Sequence, residues 1–261
     1  MISIAMTFKG REDFLDFKLK QLLYMNFNPK DIEVCITVPE YTQRLMEVVN
    51  YYYKSFHQIK LAISDRDKLP FKITTNQPTC DMNAQICNQV SFEKVIRTDP
   101  EVLFCDPNQL QYISNILDDP EICLWHDTIN PPPDAPISLF DNMFSFAGKH
   151  NCESNTCCCF SKSEFIKQGG FDERFALGVA AEDSYFINGF TKRGKSIKSE
   201  YDVIHQFHGT PWNARADLME IYYAYTLPLF LGMEERQEKS NINNTEWQRP
   251  EMLSNELVYK E

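Results

Sequence analysis

An alternation of short apolar runs with helix-spaced stripes constrains this chain more than any other feature. Residues 2–7 and 33–38 read as short buried strands, and between them Leu15, Leu19, Leu22 and Leu23 recur at helical spacing, which makes a βαβ unit. Leu45, Val48, Val49, Tyr52 and Phe56 form a second stripe, so the tyrosines at 51–53 belong to core and helix flank; Lys60-Leu61-Ala62-Ile63 is the next strand. Met82, Ile86 and Val90 sit four apart on a helix that Thr79 or Asp81 can cap. Val95 to Thr98 follows as a strand, 107–118 as a helix through Leu110, Ile113 and Leu117, and Ile122 to His126 as another strand. Strands and helices in alternation predict an α/β, Rossmann-like domain with a mostly parallel central sheet, and in such sheets ligands collect at the carboxyl ends of the strands.

The periodicity breaks in two places. Asp65 to Pro78 is polar with two prolines and reads as a loop, and Asn130 to His150, with Pro131-Pro132-Pro133, reads as a long active-site loop. Beyond it the sequence predicts a strand end and short helix over Phe160 to Gly169, with Ser163 as cap, and a helix from Glu182 to Gly194. A short segment, Val203 to Gly209, comes next; then an apolar helix runs from Ala216 to Pro228. The organisation expected is one domain over 1–232 and a polar, loosely held tail over 233–261. A formal charge of −11 argues against a phosphate-tracking surface and so against nucleic acid as a partner. The opening Met1 to Met6 has neither a basic leader nor a membrane-length apolar run, so a soluble, cytoplasmic protein is expected. Nine cysteines without repeated CxxC spacing fit reduced thiols. The run Cys157-Cys158-Cys159 on a strand points side chains to alternate faces; a zinc site built from Cys152 and this triplet lacks the paired, regular spacing usual for structural zinc.

Two acidic groups carry the chemistry. Asp99 and Glu101 follow a strand directly, and with Pro100 turning the backbone they can direct oxygen ligands at one hard divalent ion. Gly169-Gly170 precedes Asp172, Glu173 and then Glu182-Asp183 at the start of a helix-compatible segment, which can hold an acid rigidly beside a cleft. The plainer reading makes these four acids helix caps and solvated surface.

The order strand, Asp-x-Glu, loop, Glu-Asp helix and histidine pair resembles the family-2-like and galactosyltransferase-like inverting GT-A glycosyltransferases over roughly residues 2–209. The resemblance implies that Asp183 is the catalytic base with Glu182 beside it, and that Thr98-Asp99-Pro100-Glu101 stands for the family's DxD. It implies that Thr7, Phe8 and Arg11 hold the nucleotide, and that Met82-Asn83-Ala84 matches the helix ahead of the metal strand, which adds Asn83. His205 or His208 completes the metal shell. Arg11 or Arg97 lies near the diphosphate, with a surface ion pair as the other reading of Arg97. Asp65 either touches uracil or ribose or caps a loop. Residues 1–105 form the nucleotide-binding half and 106–232 the acceptor half. The implied reaction is metal-dependent hexosyl transfer, with Mn²⁺ or Mg²⁺, from a nucleotide-sugar donor, a UDP-sugar, to a glycan or other hydroxyl acceptor. Glu101 lengthens one arm of the usual motif, and Ala180-Ala181 replace an aromatic residue often found there. Trp125, Trp212 and Phe140 to Phe146 either stack on a sugar or fill the core; His126 and His150 have no assigned role. The alternatives are a non-catalytic nucleotide-sugar or glycan binding module on the same fold, and a nucleotidyltransferase. The latter wants a glycine-rich basic loop, of which Phe8-Lys9-Gly10-Arg11-Glu12 is a poor version.

Overall fold

The first apolar runs form β1 (Ile2–Thr7), β2 (Ile32–Val38) and β3 (Gln58–Ser64), with α1 (Glu12–Leu23) and α2 (Gln43–Tyr52) between them. Every residue of β1 and β2 is buried, as a sheet covered on both faces requires. The structure, a computed structural model, describes residues 1–64, 79–130, 156–178, 180–206, 216–238 and 253–259. The chain continues through α3 (Thr79–Ala84), a π turn at Gln85–Gln89, β4 (Lys94–Thr98), β5 (Val102–Phe104), α4 (Gln109–Ile116), β6 (Cys123–Trp125) and β7 (Thr128–Ile129). It ends with β8 (Cys157–Ser161), α5 (Lys162–Lys167), α6 (Glu182–Thr191), β9 (Ser196–Lys198), β10 (Val203–His205), α7 (Ala216–Ile221), α8 (Leu227–Arg236) and β11 (Leu253–Tyr259).

The central sheet has eight strands in the order β11-β3-β2-β1-β4-β8-β6-β9. β8 and β11 run against the others, so the sheet is mostly parallel as expected. A second, three-stranded sheet has the order β5-β10-β7, and its β5 begins four residues after the end of β4. One core cluster lies between the sheet and α1, α2 and α4. The other packs Met82, Ile86 and Val90 with a cage of phenylalanines, in which Phe171 meets Phe165 at 5.2 Å and Phe186 at 5.1 Å between ring centroids. At the amino ends of the strands, buried Glu33 is satisfied by Lys60 at 2.8 Å, Ser3 at 2.5 Å, Gln58 at 2.6 Å and the Ser91 amide at 2.8 Å.

Several local expectations are corrected. Ser161, not Ser163, caps α5, its hydroxyl accepting from Glu164 N at 3.1 Å. The helical path from Ala216 does not end at Pro228; after a π turn, Pro228 sits in the first turn of α8, where its missing N–H is not needed. The stretch expected as a loosely held tail supplies β11, which pairs antiparallel with β3 at the sheet edge. The described cysteines are all free thiols, and no helix among the described residues is long and apolar enough to cross a membrane.

Phe171 is fully buried and carries the turn before α6 into the aromatic cage. Phe171→Ala is expected to cost about 3–5 kcal/mol. Urea unfolding should show a lower midpoint with an unchanged slope.

Candidate active site

The Asp-x-Glu turn is built where β4 leaves the sheet. Val102 N donates to Asp99 O at 3.1 Å and closes the turn into β5. α1 then holds β5 in place: Gln21 exchanges two hydrogen bonds with the Phe104 backbone, at 2.9 and 3.0 Å. Lys18, fully buried, donates to Val102 O at 2.5 Å and lies 4.0 Å above the Phe104 ring. From the other side β10 pairs antiparallel with β5, which sets His205 opposite Val102. Gln206 gives both its backbone N–H and its Nε2 to Glu101 O, at 3.0 and 3.2 Å. Glu101 is therefore fixed at its backbone, and its nearly buried side chain pairs with Arg11 and lies 3.7 Å from His205 Nε2.

Asp99 keeps 19% of its side chain exposed and stands 3.7 Å from Arg97. Burial, and then the charge of Glu101, push its carboxyl above the usual range, while Arg97, Arg11 and His205 oppose the rise. Two carboxylates and one imidazole are the donor types a hard divalent cation takes. Glu101 and His205 lie 3.7 Å apart, but the ligand atoms of Asp99, Glu101 and His205 are not gathered within 4.8 Å of one another.

The acidic helix is placed by a second set of constraints. Gly169 and Gly170 both have positive φ, 86° and 61°, a conformation a side chain would strain. Asn83 locks the turn that follows: its amide donates to Phe171 O at 2.7 Å and Glu173 at 2.9 Å and accepts from Phe171 N at 3.0 Å. Arg174 grips Asp172 through two 2.9 Å bonds and reaches Glu238 at 2.8 Å, which ties the segment after α8 to this turn. Gly178 permits the close approach of that C-terminal helix, since a Cβ there would lie 2.3 Å from Thr226 Oγ1. Ala180 and Ala181 then both take positive φ, 60° and 77°. For residues other than glycine this stores roughly 1–3 kcal/mol each.

Glu182 and Asp183 thus open α6, where the helix dipole favours negative charge. Asp183 accepts from Ser184 N at 2.6 Å. Burial pushes its carboxyl up, and Asp99 adds to the rise; Arg97 and the Ser184 amide oppose it. Glu182 is pushed up to about 8 by burial and then by the charge of Asp183. The charge of Asp99 thus acts on both members of the acidic pair, which places the two acidic groups in one electrostatic neighbourhood.

Close contacts join Arg11 and His205 to Glu101 and Arg97 to Asp99, and Coulomb interactions couple Arg97 and Asp99 to Glu182 and Asp183. Thr7 and Phe8 lie at the carboxyl end of β1; both are buried, and the Thr7 hydroxyl is enclosed with no hydrogen-bond partner. Asn83 is a correction to the nucleotide-binding set: fully buried, it spends its amide on the Phe171 turn and acts as a clamp. Arg97 is buried, not a surface pair. Trp125 belongs to β6 and packs against the phenylalanine cage. Asp65, His208, His150, Trp212 and residues 140–146 lie outside the described residues. Lys18, Gln21 and Gln206 were missed. Only Gln206 left a signal, its place beside His205, because the other two act through a strand too short to show a period.

No family model matches the chain, and no curated protein does. Solved structures do. The S. aureus TarS 1–349 fragment superposes with a TM-score of 0.56 at 15% identity, covering 78% of this chain and 60% of that one. The same fragment in complex with UDP-GlcNAc gives 0.59 at 15% identity over 87% and 65%. The mannosyltransferase PcManGT from Pyrobaculum calidifontis, in complex with GDP-Man and Mn²⁺, gives 0.59 at 13% identity over 87% and 64%. The chain has the GT-A-type glycosyltransferase fold, as expected, and spans about three fifths of the length of these structures.

Glu182 holds its proton in the folded chain up to about pH 8, whereas the unfolded chain releases it near 4.5. Between those values the folded state binds more protons, so the stability of the metal-free protein falls as pH rises, by at most ~1.4 kcal/mol per unit. Thermal melts across this window should show the decline in the parent and a flatter profile in Glu182→Gln; parallel profiles contradict the assignment.

Proposed function

We propose that this protein is a metal-dependent, inverting glycosyltransferase that moves a sugar from a nucleotide-sugar donor, a UDP-sugar, to a hydroxyl acceptor. One observation carries the reading: a strand-end Asp-x-Glu turn and a helix-start Glu-Asp pair, 81 to 84 residues apart in sequence, share the buried cation Arg97. The fold supports it too, since TarS is seen with UDP-GlcNAc and UDP, and PcManGT with GDP-Man and Mn²⁺. In this reading residues 1–105 hold the nucleotide and 106–232 the acceptor.

Asp99, Glu101 and His205 would hold Mn²⁺ or Mg²⁺, which when bound supplies positive charge to the departing diphosphate. Arg11 and Arg97 add guanidinium charge beside it. Thr7 and Phe8 line the nucleotide side. The acceptor oxygen attacks the anomeric carbon as the bond to the diphosphate breaks, and its proton passes to Asp183. With Oδ1 occupied by the Ser184 amide, Oδ2 is the oxygen that takes it. A carboxylate whose affinity for protons is raised by burial is the stronger base. Glu182, pushed up to about 8 by burial and then by the charge of Asp183, is protonated at neutral pH, which relieves repulsion within the pair.

Transfer and donor hydrolysis should require Mn²⁺ or Mg²⁺. Asp183→Asn is expected to lower turnover by about 10²- to 10⁴-fold while UDP binding persists. Asp99→Ala should remove metal-dependent UDP binding in calorimetry; tight, Mn²⁺-dependent binding by that variant sinks the metal assignment. Donor binding without turnover in the parent, whatever the metal and acceptor, identifies a binding module instead.

A further inference from the structure

β8 carries three consecutive cysteines through the middle of the sheet, and none of them enters the reaction proposed above. Alternation along the strand sends Cys157 and Cys159 into the core beneath α1 and α4, and Cys158 to the opposite face among the phenylalanines. The antiparallel register with β6, Leu124 opposite Cys159 and Trp125 opposite Cys158, sets the next residue, His126, against Cys157. Side chains of paired residues share a face, so one imidazole and two thiols converge. A ring nitrogen of His126 and the Sγ atoms of Cys157 and Cys159 all lie within 4.8 Å of one another, and all three side chains are fully buried.

The imidazole is set up as a ligand. His126 Nδ1 lies 3.4 Å from the Cys157 carbonyl oxygen, which can only accept, so the proton belongs on Nδ1 and the lone pair on Nε2. Nε2 is buried and meets no hydrogen-bond partner. An enclosed acceptor left unmatched is costly, and either a neighbouring thiol S–H or a metal ion held together with the two sulfurs would satisfy it.

We propose that His126, Cys157 and Cys159 bind a thiophilic metal ion, Zn²⁺, at a site separate from the carboxylate turn. Two thiolates and a neutral imidazole balance the charge of a divalent ion, which suits a buried position. Zinc bonds of ~2.0–2.3 Å place tetrahedral ligand atoms roughly 3.5–3.8 Å apart, so the cluster closes by side-chain movements of about an ångström. Three protein ligands leave one coordination position for a small exogenous ligand. The two metal sites differ in donor type: sulfur and nitrogen select zinc here, whereas the oxygen-rich turn selects Mn²⁺ or Mg²⁺. They are also neighbours, because Cys157 pairs in register with Thr98, the residue before Asp99. Bound zinc would cross-link β6 and β8 directly behind the Asp-x-Glu turn.

The test uses the full chain, purified reduced and passed over a chelating resin. Mass-spectrometric metal analysis is expected to find about one zinc per chain, unaffected by excess Mn²⁺. Cys157→Ser, Cys159→Ser and His126→Ala should each lose the zinc, whereas Cys158→Ser, equally buried but on the other face, should keep it. Because these variants can fold poorly, the parent gives an independent answer: stripped of metal and titrated with Cd²⁺ or Co²⁺, it should develop sulfur-to-metal charge-transfer absorption at one equivalent. The proposal is overturned if the reduced parent retains no zinc and shows no such absorption, or if Cys158→Ser abolishes both signals while a cysteine variant at 157 or 159 keeps them. Neither result bears on sugar transfer, which rests on other residues.

Discussion

The charge of Arg97 is the constraint on which the site depends. Its side chain is buried, and loss of hydration works against its charge, yet Asp99 first, and also Asp183 and Glu182, hold it protonated. A guanidinium does not give up its proton in a protein, so it can carry a positive charge into the sheet where a lysine would neutralise itself. It comes from a strand that ends at one acid and acts on the helix that begins with two others. Without it, three poorly hydrated carboxyls that interact with one another would be pushed further above their usual range. Removing the partners instead would strand a buried cation, an equally costly outcome.

Much of the backbone that supports this arrangement is there to stop the acids from moving. Glu101 is held by Gln206 behind it and by Arg11 beside it. Asp183 is held by a helix whose approach is set by two glycines, two alanines in left-handed conformation and the Asn83 clamp. The alanines store backbone strain. Strain of this kind is kept where a side chain must point in one direction only, and here it falls directly before the Glu-Asp pair.

How much of this was legible in the sequence follows from the length and locality of each signal. β1, β2 and α1 were readable because long apolar runs and a leucine stripe have a period. Asp99 and Glu101 were readable because turn chemistry after a strand is local. β5, β7 and β10 were not: each has two or three residues, too few to show alternation, and their partners are about 75 to 100 residues away. β11 was missed because an edge strand beyond a polar stretch looks like a tail. Asn83 was drawn toward the nucleotide by a motif match, whereas its amide faces a turn 88 residues distant, a contact no local pattern reveals. The same blindness hid His126, since its place beside Cys157 depends on strand register.

The two ends of the sheet show that the acidity at its carboxyl edge is not an accident of composition. Glu33, at the amino ends, is fully buried, and burial alone would raise its carboxyl. Lys60, Ser3 and the Ser91 amide outweigh burial and hold it below the usual range. The carboxyls of Asp99, Glu182 and Asp183 are instead held above it, with burial the largest cause in each. A chain that can supply four donors to one buried carboxylate is not short of donors. Leaving three others above the usual range, around one strand end and on a rigid frame, costs stability with no structural return. That cost is what a site awaiting a cation, a diphosphate and a proton would exact.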